Sequence, residues 1–166
     1  MKPRCYIASP LGFTEAGRHY YTEVYLPALG GVVEVVDPWS LATQTEIAAA
    51  HRAGQHREIL LEIGRRNIRA IQSSVMLAAW LDGQEPDSGT AAEVGYAAAL
   101  RIPCFGLRTD LRQTGEPGAD VNLQVQTFIE DSGGRLLGSL AELVEALTAR
   151  AADLGGLESH GTIPFD

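Results

Sequence analysis

Cysteine is nearly absent from this chain: Cys5 and Cys104 are the only two, and neither has a Cys-x-x-Cys partner. That excludes a disulfide scaffold and the common thiol-based zinc and redox motifs. Both lie in apolar runs that read as strands, and two reduced, buried thiols are expected. A disulfide stays geometrically open only because the two strands could be neighbours. Basic residues are also scarce, with 13 Lys plus Arg against 21 Asp plus Glu and a net charge of −8. Nucleic acid and anionic membrane surfaces need a cationic footprint, so neither is an expected partner. His19, His51, His56 and His160 are scattered without metal-ligand spacing, and no metal or cofactor is implied. The Gly-bearing stretch 115–118 lacks the Gly-x-x-x-x-Gly-Lys phosphate cradle. No apolar run approaches the roughly 20 residues that span a bilayer. The first residues show no apolar signal-peptide core, so a cytoplasmic location is expected. Repeats, low-complexity tracts and linkers are missing too, which points to one domain over residues 1–166.

What is present alternates between two periodicities. Arg4 to Ala8, Val32 to Val36, Val75 to Leu81 and Pro103 to Leu107 are short apolar runs with the character of strands. The β-branched run from Val32 suits a strand buried on both faces. Between them, Thr14 to Leu29, Thr43 to Arg52, His56 to Gln72, Gly89 to Leu100 and Ser139 to Ala152 read as helices. Thr14 is a candidate N-cap, and Ser139 with Glu142 forms a capping-box pattern. Asp110 to Asp120 reads as a loop, and Asn122 to Glu130 suits either a strand or a helix. Such alternation predicts an α/β fold: a single-domain flavodoxin-like (Rossmann-like) sandwich, with a mostly parallel five-stranded sheet flanked by helices. In these folds ligands bind beyond the carboxyl ends of the strands. That gathers residues 9–13, 37–39, 82–93 and 108–110 at one end.

The segment Leu81 to Ala97 carries the most chemistry, with Asp82, Glu85, Asp87 and Glu93 between a strand and a helix. Gly89 allows close backbone approach, and Ala91, Ala92 and Gly95 leave room for a ligand or a neighbouring element. Thr90 and Glu93 match a capping box, which would make Glu93 structural. Asp87 and Ser88 suit turn or cap positions equally. Alternatively, Glu93 opens into the ligand crevice at a helix N-terminus, kept ionised by helix-end amides, as a nucleophile at an anomeric carbon requires. The pattern alone does not choose between these readings.

The stretch Asp87-Ser-Gly-Thr-Ala-Ala-Glu93-Val-Gly-Tyr-Ala97 resembles the signature of nucleoside 2-deoxyribosyltransferases. Tyr6-Ile-Ala-Ser-Pro-Leu-Gly-Phe13, Asp37-Pro38-Trp39, Arg108-Thr-Asp110-Leu-Arg112 and Val121-Asn122-Leu-Gln124 follow the same family in the same order. The resemblance implies exchange of the nucleobase of 2′-deoxynucleosides, with retention at C1′ through a covalent deoxyribosyl-Glu93 intermediate and slow hydrolysis on the side. By the same resemblance, Tyr6 orients Glu93 and Asp87 binds a sugar hydroxyl. Phe13, Asp37, Trp39, Asn67, Ser88 and Gly89 complete the substrate-binding set. Tyr96 is a further candidate ring surface. Asn67 stands where the family often has an aspartate at the nucleobase, and Ser73-Ser74 replaces an acid at a position that reads as structural. Asn122 and Gln124 are implied to reach a neighbouring active site, in a dimer-based homo-oligomer, commonly a hexamer. Phe165 and Asp166 are candidates to fold over the site. Two other readings compete: hydrolysis of 2′-deoxynucleoside 5′-monophosphates, and a non-catalytic nucleoside sensor. The first wants a serine- and arginine-bearing phosphate pocket; the second predicts indifference to Glu93→Ala.

Overall fold

The computed structural model describes residues 1–159. The suggested closing role of Phe165 and Asp166 lies outside the described residues. Five strands form one parallel sheet: β1 (Arg4–Ala8), β2 (Glu34–Val36), β3 (Met76–Trp80), β4 (Cys104–Leu107) and β5 (Arg135–Leu137), in the order β2-β1-β3-β4-β5. All four pairings are parallel. The helices are α1 (Glu15–Tyr20), α2 (Leu26–Gly30), α3 (Gln44–Arg52), α4 (His56–Gln72), α5 (Ser88–Ala99), α6 (Leu123–Asp131) and α7 (Leu140–Ser159).

Strand alternation builds two cores from single runs of sequence. Tyr6, Ala8, Leu77 and Ala79 point to one face, where Ala70 and Ile71 of α4, Val94 and Ala97 of α5, and Val125 and Ile129 of α6 pack. Cys5, Ile7, Met76 and Ala78 point to the other, against Tyr21, Tyr25, Leu29 and the α7 residues Leu143 and Leu147. Tyr6 therefore faces the α4–α5 layer simply by its parity along β1. Both cysteines are free and buried. Strand β3 lies between β1 and β4, so the two are not on neighbouring strands.

Several elements differ from the sequence-based expectation. The expected single helix from Thr14 starts as predicted, with Thr14 Oγ1 accepting from the Gly17 amide. It then widens into a π-helical segment, Tyr21–Tyr25, before α2. The Leu26 amide donates to the carbonyl five residues back, at Tyr21, and Pro27, next in line, has no amide to offer. The strand expected from Val32 is an edge strand with Glu34 exposed, not one buried on both faces. Residues 122–130 resolve as helix, because Asn122 caps α6 by accepting from the Gln124 amide. The fifth strand is β5, three residues long, and it has no legible pattern of its own. Half of the Ser139–Glu142 box forms, the Glu142 amide donating to Ser139 Oγ, while Glu142 Oε2 accepts from the amide of Gly138, one residue before the cap.

The β4–β5 junction is held by a close backbone approach. A Cβ on Gly134 would stand 1.6 Å from the Cys104 carbonyl oxygen. A backbone atom inside the sheet cannot yield as a flexible side chain would. Gly134→Ala should cost about 3 kcal/mol or more in urea unfolding. Gly64→Ala in α4, where nothing lies within 4 Å, should instead add up to about 1 kcal/mol.

Candidate active site

Chain direction changes between β1 and β3: β2 lies on one side of β1, and β3 with all later strands lies on the other. The carboxyl ends of β1 and β3 flank that switch point, where a crevice forms in such sheets. Tyr6 comes from β1, and the loop after β3 leads into α5. There the Tyr6 hydroxyl donates to Glu93 Oε1 at 2.6 Å, across 87 positions of sequence.

The capping-box reading of Thr90 and Glu93 does not hold. The N-cap is Asp87, whose Oδ2 accepts from the Thr90 amide at 2.9 Å and from Thr90 Oγ1 at 3.3 Å. An aspartate one turn earlier makes the cap, so Glu93 falls in the second turn, beyond the free amides of the helix end. Those amides therefore do not hold it ionised as expected. Burial is the largest influence and pushes its carboxyl up, the Tyr6 hydrogen bond opposes that, and the Asp87 charge adds to the rise; the outcome is a pKa of about 7. Burial and the Glu93 charge hold the Tyr6 hydroxyl far above its ordinary range, so it remains a donor.

A cavity of about 400 Å³ opens in front of this pair. Glu93, Asp87, Gly89 and Thr90 form its α5 side, Ser9, Phe13, Pro38 and Trp39 its loop side, and Leu60, Ile63 and Asn67 its α4 side. Phe13 and Trp39 meet edge to face with centroids 4.8 Å apart and are 70% and 41% exposed, so they form a rim rather than a core contact. Trp39 is fixed from behind, its indole N–H donating to the Ser9 carbonyl at 3.3 Å. Asn67 Oδ1 is buried and has no hydrogen-bond partner among the described residues. Asn67 and Glu93 also wall a second cavity of about 350 Å³, with Gly64, Ile68, Ala92 and Tyr96. A larger cavity of about 500 Å³ lies by Arg108 and Asp110. It has no buried carboxylate, and its cations are already engaged: Arg108 binds the Leu81 and Gly83 carbonyls, and Arg112 pairs with Asp110.

Of the sequence candidates, Phe13, Trp39, Asn67, Asp87, Gly89 and Glu93 line one cavity, and Tyr6 stands behind Glu93. Others fall elsewhere. Asp37 Oδ1 is engaged by the Tyr21 hydroxyl at 2.8 Å and the Trp39 amide at 2.9 Å, so it holds the loop that carries Trp39 and does not line the cavity. Ser88 is exposed at the first turn of α5. Asn122 caps α6, and Gln124 is exposed beside it; neither lines this chain's cavity. Tyr96 faces the second cavity, its hydroxyl accepting from Gln72 Nε2. The small residue Gly95 makes room for a neighbouring element, Phe128 of α6. Ser9 falls in the stretch 9–13 that the sequence gathers at this end, whereas Leu60 and Ile63 lie outside every such stretch. Leu60, Ile63 and Asn67 are spaced by three and four, one stripe of α4, and that stripe is the signal that could have found the two apolar residues.

The burial of Glu93 has a consequence for stability. Its folded pKa of about 7 exceeds the ordinary 4.5, so the native state holds the proton more tightly and stability falls as pH rises from 4.5 to 7. Glu93→Gln should be nearly neutral at pH 4 and stabilise by up to about 3 kcal/mol at pH 8, read from urea unfolding at both pH values.

The model of the family described as Nucleoside 2-deoxyribosyltransferase matches residues 5–136. No curated protein matches the chain. Among solved structures, a conserved protein from Enterococcus faecalis V583 is 25% identical with a TM-score of 0.64, covering 90% of this chain and 99% of its own. A 2-desoxiribosyltransferase from Leishmania mexicana is 26% identical with a TM-score of 0.60, covering 86% and 97%. A 2-deoxyribosyltransferase from Bacillus psychrosaccharolyticus, at 17% identity and TM-score 0.56 over 85% and 90%, shares the fold. The family match spans the sheet from β1 into β5 and takes in both Tyr6 and Glu93: the chain belongs to the nucleoside 2-deoxyribosyltransferase family.

Proposed function

We propose that this protein exchanges the nucleobase of 2′-deoxynucleosides, with Glu93 as covalent nucleophile. The observation that carries the reading is the Tyr6–Glu93 hydrogen bond at the wall of a half-apolar cavity. The ionised Glu93 attacks C1′ opposite the base through an oxocarbenium-like transition state, giving a deoxyribosyl ester. A second base attacks from the vacated face, so configuration is retained. Tyr6 holds the carboxylate on line through Oε1 and leaves Oε2 to react. Asp87, with Oδ2 committed to Thr90, offers Oδ1 to a sugar hydroxyl. The rim of Phe13 and Trp39 with Leu60 and Ile63 supplies flat apolar surface for a base and limits water. Asn122 and Gln124 would serve a neighbouring copy's site in a homo-oligomer, since neither reaches its own.

The 5′-monophosphate reading finds less support. No lysine or arginine lines the cavity among the described residues, and a phosphate there would lack a charged partner. Chromatography of purified protein with 2′-deoxyinosine and adenine should reveal 2′-deoxyadenosine, absent with Glu93→Ala. Free hypoxanthine without exchange would make the protein a hydrolase, and tight nucleoside binding without turnover would make it a sensor.

The nucleophile must be ionised, so kcat/KM for deoxyinosine should rise with pH through a limb near 7. Tyr6 lowers the Glu93 pKa by donating to its charged form. Tyr6→Phe should therefore shift that limb to higher pH and slow the reaction most below it. An unmoved limb would remove the positioning role from Tyr6.

A further inference from the structure

We infer that the described residues of the site supply no acid to the departing base, so that it works on 2′-deoxynucleosides of acidic bases, taking acceptor bases as their anions. This rests on the deoxyribosyl-transfer reading and deepens it.

The titratable side chains that line the cavity are Asp87 and Glu93 alone among the described residues. Glu93 must be ionised to attack. Asp87 Oδ2 accepts two hydrogen bonds from Thr90 as the helix cap, a role in which the carboxylate gives no proton. The Tyr6 hydroxyl donates to Glu93 and stands behind it. None of His19, His51 and His56 reaches the cavity wall. The remaining polar side chains are the hydroxyls of Ser9 and Thr90, too weakly acidic to release a proton near neutral pH, and Asn67, whose amide sits on the α4 side with a buried Oδ1 unpartnered among the described residues. An amide can accept from a base N–H through Oδ1 and donate through Nδ2, but it cannot release a proton near neutral pH. Asn67 thus reads the edge of a base without protonating it.

The bond changes balance without an enzyme acid. The Glu93 carboxylate forms its bond to C1′, the C1′–N bond breaks, and its electron pair goes to the base nitrogen. The base leaves as an anion and takes its proton from water. In the return half, an acceptor that has lost its N–H proton to solvent attacks C1′ and frees the Glu93 carboxylate. Departure is easier the more stable the base anion; in the return half the same stability makes the anion more abundant but a weaker nucleophile.

The test is a linear free-energy series: 2′-deoxyribosides of 6-substituted purines, alike in size and graded in acidity of the free base, with kcat/KM measured for release of the base. For the wild type, the rate should fall steeply, approaching about tenfold per unit rise in base pKa. Asn67→Asp restores a carboxyl at this position with almost no change of shape. It should flatten the slope and speed the least acidic bases by about 10²-fold or more, while changing the most acidic ones little. A shallow wild-type slope would overturn the inference, because some group would then be protonating the base. A steep slope that Asn67→Asp leaves steep would overturn the part assigned to Asn67. Turnover of no deoxyriboside in the series would instead sink the deoxyribosyl reading itself.

Discussion

One hydrogen bond, from a tyrosine on a central strand to a glutamate in the second turn of a helix, sets the terms for the rest of this molecule. It joins the first strand to the segment after the third, the two sides of the sheet's switch point. Among the described residues no cation acts on the glutamate. A buried carboxylate without a counter-charge is costly, and here one phenol and a partial opening to solvent are what offset that cost. The same lack of neutralisation leaves its electron density available for carbon. Reactivity and instability at this position are one property measured in two ways.

The surroundings follow from that constraint. The cap of α5 falls to Asp87 rather than to Glu93, which frees the glutamate from the backbone and brings a second negative charge near it. Both acids raise the local cost, and the apolar α4 stripe and aromatic rim limit how far water relieves it. A cationic substrate group or a developing oxocarbenium ion is what such a hollow lacks. The chemistry proposed for the site uses the imbalance that the fold maintains.

Much of this was legible in the chain, and the exceptions have physical causes. The central strands announce themselves because burial on both faces demands continuous apolar residues, as in Cys5 to Ala8 and Met76 to Ala79. Tyr6, Asp87 and Glu93 were singled out by resemblance, Tyr6 through the stretch Tyr6–Phe13 and the two acids through Asp87–Ala97. The edge strands were harder: β5 is three residues long and begins with exposed Arg135, so no periodicity exists to read. The Thr90–Glu93 pattern misled because a better cap, Asp87, overlaps it by one turn. Asp37 stands apart from the cavity for a related reason. A carboxylate at a strand's carboxyl end reads as a ligand group, yet here it holds the aromatic loop through Tyr21, a partner 16 residues away that no local pattern indicates. Leu60 and Ile63 escaped because whether an apolar stripe faces a core or a cavity is decided by tertiary packing alone.

The rim has a feature that bears on how such proteins diversify. A Cβ on Gly12 would lie 2.2 Å from the Trp39 ring, so the indole rests directly on the backbone of the loop after β1. The two loops that shape the mouth are therefore keyed to each other through one glycine and one tryptophan. The glycine cannot drift while the tryptophan stays. A lineage that abandons the tryptophan releases the glycine, and one that loses the glycine must first have shed the tryptophan. The order in which those changes arise becomes part of the history of what the pocket is able to hold.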